Sequence, residues 1–416
     1  MTSRERVLAA IEHKQGDKVP VDLGATPSSC ISAIAYNNLK KHLGITQGQT
    51  RIYDVVQQLA EPEDFIIEKF GVDVLDVGRA FNVDSDKWYD VKLVDGSKAQ
   101  YPKWFRPVKQ PDGSWLAYDK DGDLIAKMPS TGTFFDQCEF PYVDGYPANF
   151  DDLPKAMSKV MWAIFAPSPW DHAGEEDFWD RLREKCIELR KTTDKALLLG
   201  IGCNLFEWGS FLRRMDNFMM DVVADSDNVA KLLDALMESH MAGLEKACKY
   251  VGDVVDIIKF GDDLGMDTGP FMSPDSYKEL FLPRHKQLCD YVKKNSSMKT
   301  MLHSCGGIYK LIPGLIEAGF EILNPVQTSC VDMEPEKLKE EFGNDITFWG
   351  GGCDTRDILN RATPKQVKEH VLERLEIFSK DGGFVFNTVH NILPEIEPEN
   401  IIAMFEAVEE FNTLEG

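Results

Sequence analysis

The chain has 416 residues, 43% of them hydrophobic and 28% charged, enough for one large core or for a barrel carrying an insertion. Its 69 acidic against 46 basic residues give a net charge of −23, which argues against a nucleic acid or an anionic membrane as partner. No apolar run reaches membrane-spanning length.

The N-terminus, Thr2-Ser3-Arg4-Glu5-Arg6, opens a polar amphipathic helix and lacks the apolar stretch of a signal peptide, so a cytoplasmic location is expected. Short, continuously apolar, β-branched runs then recur at 18–23, 72–77, 197–201, 254–260, 300–303, 321–326, 346–350 and 384–389. Each has the composition of a strand buried on both faces. Amphipathic stretches at 228–250, 276–294, 308–318 and 365–380 alternate with them. Ser273-Pro274-Asp275 and Thr363-Pro364 supply proline for a first helical turn. Eight strands alternating with helices predict an α/β fold, a (β/α)8 TIM-type barrel, with 1–416 as a single domain. Residues 88–130 break the alternation. They read as a β-meander insertion, with strands at 104–108, 115–118 and 124–128 parted by Pro111-Asp112-Gly113 and by 119–123. The run Asp119-Lys120-Asp121-Gly122-Asp123 has some likeness to a calcium loop, but no glutamate follows over 126–130, and a turn is expected.

In such a barrel, function gathers where the strands end. The predicted ends carry Gly24 to Cys30, Gly78-Arg79, Gly202-Cys203-Asn204 with Glu207, Gly261-Asp262-Asp263, His303-Ser304-Cys305-Gly306-Gly307, Asn324-Pro325, Gly351-Gly352-Cys353-Asp354 and His390-Asn391. Glycine, thiols, imidazoles and carboxylates crowd these ends and not the opposite ones, which favours an enzyme. His303 and Cys305, two apart on a strand, point to one side, so imidazole and thiolate can share a metal. Cys353, after three glycines, or His390, in a polar strand end, would complete a three-ligand site with an open position. Glu207 and Asp262 are the carboxylates best placed for proton work, with His390 as a further proton-handling group. Only one of Asp262 and Asp263 should enter the pocket. Cys30 and Cys203 are expected to pack. Phe81, Phe206, Trp208 and Trp349 are aromatic-pocket or core residues.

Four stretches together give the chain a resemblance to the uroporphyrinogen decarboxylase superfamily: 262–270, His303-Ser304-Cys305-Gly306, 350–354, and 387–394 followed by 397–401. The superfamily holds the decarboxylase and the zinc-dependent, corrinoid-linked methyltransferases, and the resemblance implies the barrel. The decarboxylase's arginine-bearing N-terminal loop corresponds here to 23–30, which has no arginine. A highly anionic porphyrinogen would therefore find little to hold it. The methyltransferase branch binds zinc through His-x-Cys, matched by His303 and Cys305, plus a later cysteine whose position falls on His390. The resemblance thus implies a zinc methyltransferase moving a methyl group between a small methylated substrate, such as a methoxylated aromatic or a methylamine, and the cobalt of a separate corrinoid protein (an O-demethylase component). No corrinoid motif of the Asp-x-His-x-x-Gly kind occurs in the chain, so cobalamin is expected on a partner docking at the barrel mouth and the 88–130 insertion. The rival reading is a metal-free decarboxylase or lyase acting on a small carboxylate, with Asp262 and His390 handling protons. A non-catalytic binding protein ranks below both. No motif encodes the oligomeric state, for which a homodimer is the first expectation.

Overall fold

The computed structural model describes residues 1–414. Seven parallel strands form one curled sheet: β1 Val74–Asp76, β2 Ala196–Gly202, β3 Ile257–Gly261, β4 Lys299–His303, β5 Ile322–Asn324, β6 Thr347–Trp349 and β7 Phe384–Val385. Each pairs with the next in sequence. The eighth stave is the extended segment 19–22. On one side Phe386 N–H donates to Pro20 O and Asp22 N–H to Phe386 O, both at 2.8 Å; on the other, Asp73 N–H donates to Val21 O at 2.8 Å. The two sheet edges are thereby joined, and the predicted (β/α)8 barrel is what forms.

The alternation of side chains along each strand decides what fills the barrel. Val74, Ala196, Leu198, Ile257, Met301, Ile322, Trp349 and Val385 point inward and make one apolar layer. Helix α1 (Ser3–Ile11) contributes Val7, Ala10 and Ile11 to the same cluster. Leu75, Leu197, Leu199, Ile258, Phe260, Leu302 and Leu323 point outward into the larger core between strands and helices. Two residues beyond the inward layer, the same parity lifts Asp76, Gly200, Lys259, His303 and Asn324 to the rim. The site is therefore a second storey above an apolar floor.

Helices fall close to their predicted places, at Ser226–Val251, Leu282–Asn295, Ile312–Ala318 and Pro364–Phe378. The expected 276–294 helix begins at Pro274 and passes through a π turn at Tyr277–Phe281. Pro283 lies just beyond it and has no N–H to continue the regular ladder. Among the described residues no helix is long and apolar enough to cross a membrane.

Between β1 and β2 lie a hairpin, Trp88–Lys92 with Lys98–Pro102, and an antiparallel sheet of Val108–Lys109, Trp115–Tyr118, Leu124–Met128 and Asp136–Gln137. The strand expected over 104–108 is reduced to its last residue. Pro102 ends the hairpin, and Pro107 has no N–H for a ladder. The ring of Phe105 instead packs edge-on to Tyr101, Phe135 and Phe165. In the loop 119–123 the ammonium of Lys159 lies 2.9 Å from Asp119 and 2.9 Å from Asp123, the place a calcium loop keeps for its ion.

Candidate functional site

His303 ends β4, with its Nδ1 2.7 Å from Asn324 Oδ1. Asn324 is itself fixed, since its amide donates to Trp349 O at 2.9 Å and its oxygen accepts from Ser28 Oγ at 2.7 Å. His303 Nδ1–H therefore donates, and the lone pair is on Nε2. Nε2 lies 3.5 Å from Cys305 Sγ and 3.5 Å from Asp263 Oδ1. His390 enters from beyond β7, its ring centroid 6.0 Å from that of His303. One ligand atom each from His303, Cys305 and His390 all lie within 4.8 Å of one another.

The loop after His303 folds tightly because it must. Cys305 N–H donates to Asp263 Oδ1 at 2.8 Å and Gly306 N–H to Gln327 Oε1 at 2.9 Å. Gly306 has φ +93°, and a Cβ there would meet the carbonyl carbon of Gly265 at 2.1 Å. Only glycine allows that approach.

Cys353 sits elsewhere. Its thiol is fully buried in the outer core, 3.8 Å from Asp354 O, and burial pushes it far above the ordinary thiol range. The donor set the structure brings together is therefore His303, Cys305 and His390, with Asp263 beside it. The acidic pair divides by strand parity. Asp263 lines the cavity. Asp262, expected as the proton-handling member, is fully buried on the other side, accepting from Glu207 N–H at 3.0 Å and lying 3.2 Å from His285 Nε2. His285 Nδ1 is in turn 3.0 Å from the Tyr277 hydroxyl. Asp262 thus supports the start of the helix that carries Glu207, and Asp263 takes the inward place.

Glu207 opens the helix Phe206–Arg213, and Asn204 donates to its carboxylate. Burial, then the charges of Asp263 and Asp262, hold its carboxyl well above the usual carboxylate range, which favours its protonated form. Burial pushes His303 down to about 4 and lowers His390, keeping both imidazoles neutral. Burial and the neighbouring Asp263 and Glu207 push the Cys305 thiol well up. Two neutral imidazoles and a thiol facing a carboxylate suit a divalent cation, whose charge reverses the last effect and favours the thiolate. The oriented His303 and the nearby carboxylate suit zinc in particular.

His303, His390, Asp263 and Glu207 line a cavity of about 590 Å³ that also receives Asp54, Asp76, Lys259 and His240, and whose apolar wall includes Tyr53, Trp162, Trp170, Trp208 and Phe211. Trp162 and Phe211 stack at 5.8 Å. Trp208 is thus a pocket residue, whereas Phe81, Phe206 and Trp349 are core. Sequence reasoning missed Lys259 and Asp76. The available signal was a lysine inside the apolar run Ile257-Ile258-Lys259-Phe260, and an aspartate ending a strand.

A closed parallel barrel with a polar rim over an apolar floor, and a His, Cys, His cluster at its strand ends, defines a barrel-end candidate active site. The chain belongs to the uroporphyrinogen decarboxylase (URO-D) family, whose profile matches residues 194–411. It is 27% identical over 185 residues to the uroporphyrinogen decarboxylase of Hydrogenovibrio crunogenus, covering 44% of this chain and 48% of that one. With the Magnetococcus marinus decarboxylase the identity is 20% over 250 residues, covering 58% and 66%. The chain thus spans about half to two thirds of the length of these curated relatives. Among solved structures, a methyltransferase from Methanosarcina mazei shares the fold, with a TM-score of 0.58 at 17% identity over 99% of each chain.

Proposed function

We propose that the protein is a zinc-dependent methyltransferase that moves a methyl group between a small methylated substrate and the cobalt of a corrinoid carried by a partner protein. The observation that carries this reading is the convergence of His303, Cys305 and His390 at the barrel mouth. Family membership, and a fold shared with a methyltransferase, support it. His303, Cys305 and His390 would hold the metal, with Asp263 at its edge; bound there, zinc supplies Lewis-acid polarisation of the heteroatom that bears the methyl group.

The chain's own residues do the rest. Asn324 holds His303 with Nε2 toward the cluster, and Asp263 pins the backbone N–H of Cys305. Glu207, its carboxyl held above the usual range and facing the cavity, is placed to give a proton to the heteroatom left behind when the methyl departs, and to take one back in the reverse direction. The aromatic wall excludes water from the reacting methyl. Beside the mouth, an apolar groove of about 490 Å³ is lined by Phe134, Phe135, Met161, Trp162, Phe211 and Met215 and shares His390 with the cavity. It offers the approach for the corrinoid partner.

Tetrapyrrole decarboxylation has less support. The cavity-lining stretch Ala25-Thr26-Pro27-Ser28 holds no arginine, and Lys259 is the one lysine or arginine among the described lining residues.

The test is metal analysis of protein purified without chelator, followed by methyl transfer from a panel of methoxylated aromatics and methylamines to Co(I) cobalamin. Near-stoichiometric zinc and formation of methylcobalamin are expected. Well-folded protein that lacks metal, ignores added zinc and releases CO2 from a small carboxylate would overturn the reading in favour of decarboxylation.

A further inference from the structure

The cavity contains a cation that the fold leaves without a partner. Lys259 is the central residue of β3, which is hydrogen-bonded to β2 on one side and β4 on the other. Its neighbours Ile258 and Phe260 turn outward into the main core. Lys259 therefore turns inward, one layer above Ile257, and lines the cavity. Among the described residues its ammonium has neither a hydrogen bond nor an ion pair; Glu207, Asp263 and Asp76 act on it only through their fields. Burial raises Asp76 to about 7 and holds Glu207 above the usual carboxylate range, which weakens both as counter-charges. Lys259 is half-buried and its head faces the cavity with no bonded partner, so it is open to a ligand anion that can pair with it. Lys259 is also near enough for its charge to be felt at His303, His390 and Cys305.

We propose that Lys259 anchors a carboxylate of the substrate, so that the ligand class is an organic monocarboxylate whose flat apolar body lies against Trp162 and Phe211. This rests on the cavity being the substrate site, as the methyl-transfer reading takes it. It needs neither metal nor turnover to be observed, so its failure and the failure of methyl transfer are separable.

The experiment measures binding to the full-length protein, by quenching of tryptophan fluorescence and by calorimetry, of benzoate and 3-phenylpropionate, each against its neutral amide. Each acid should bind at least about tenfold more tightly than its amide, the scale of one hydrogen bond to a charged group. In K259M and K259Q the preference should fall to within about twofold, and in K259R it should persist. As a second readout, acylation of Lys259 by acetic anhydride, followed by peptide mass, should be slowed by benzoate and not by benzamide. This holds even if the neutral variants fail to fold. A lysine that serves only to balance the cavity acids predicts lower stability in K259M with the acid-to-amide ratio unchanged. That result overturns the proposal, as does a wild-type protein that binds no acid better than its amide.

Discussion

Replacing Asn324 by alanine tests whether the metal site is built from its support outward. Asn324 is fully buried and makes three hydrogen bonds, to Ser28 Oγ, His303 Nδ1 and Trp349 O, at 2.7, 2.7 and 2.9 Å. At about 1 kcal/mol each, and with the Trp349 carbonyl left buried and unpaired, N324A should lose about 3 kcal/mol of stability. The second effect is specific to the site. Without its acceptor the His303 ring can rotate or change tautomer, and loss of such a support typically costs a metal site about 10–100-fold in affinity. Competition with a chromophoric zinc chelator measures this at a temperature where circular dichroism shows the variant folded. A folded N324A that is less stable yet binds zinc within about twofold of wild type would refute the reasoning.

E207Q should keep its zinc and lose about 10²–10⁴-fold in methyl-transfer rate, because the amide cannot give up a proton; equal rates in a Co(I) cobalamin assay would remove Glu207 from the chemistry. D76N should be stabilised relative to wild type at pH 8 but not at pH 4. Burial raises Asp76 from 3.8 to about 7, so its folded-state proton contributes stability fully below pH 3.8, and this is lost as pH rises through 7. The stabilisation should reach about 2–4 kcal/mol at pH 8, read as a melting-temperature difference between variant and wild type at each pH. K159A removes the ammonium held by Asp119 and Asp123, and should expose the 119–123 loop to limited proteolysis while leaving metal content unchanged.

The barrel was legible because a strand buried on both faces must read as a continuous apolar run, and all eight runs are staves. Part of the rim was legible for the same reason, since Ile201 and His303 end their runs at the cavity and Glu207, Asp263 and His390 follow the ends of theirs. What escaped depended on parity and on loop paths. Asp262 and Asp263 are adjacent, and only the strand's phase, set by Ile257 below, assigns Asp263 to the cavity. Lys259 occupies an inward position within the stretch Ile257-Ile258-Lys259-Phe260, where sequence alone does not tell inward from outward. Cys353 and His390 follow different strands. The glycines at 350–352, two of them at positive φ, carry Cys353 into the outer core, whereas His390 reaches the cavity. The 104–108 stretch looked like a strand by its residues, but Pro102 and Pro107 bracket it and the Phe105 ring is worth more in an aromatic cluster.

Zinc-edge X-ray absorption tests the central claim most directly. A site of His303, Cys305 and His390 predicts one sulfur at about 2.3 Å and at least two imidazole nitrogens at about 2.0–2.1 Å, a signal lost in C305A and unchanged in C353A. Two sulfurs, one of them lost in C353A, or a protein that binds no zinc, would contradict it.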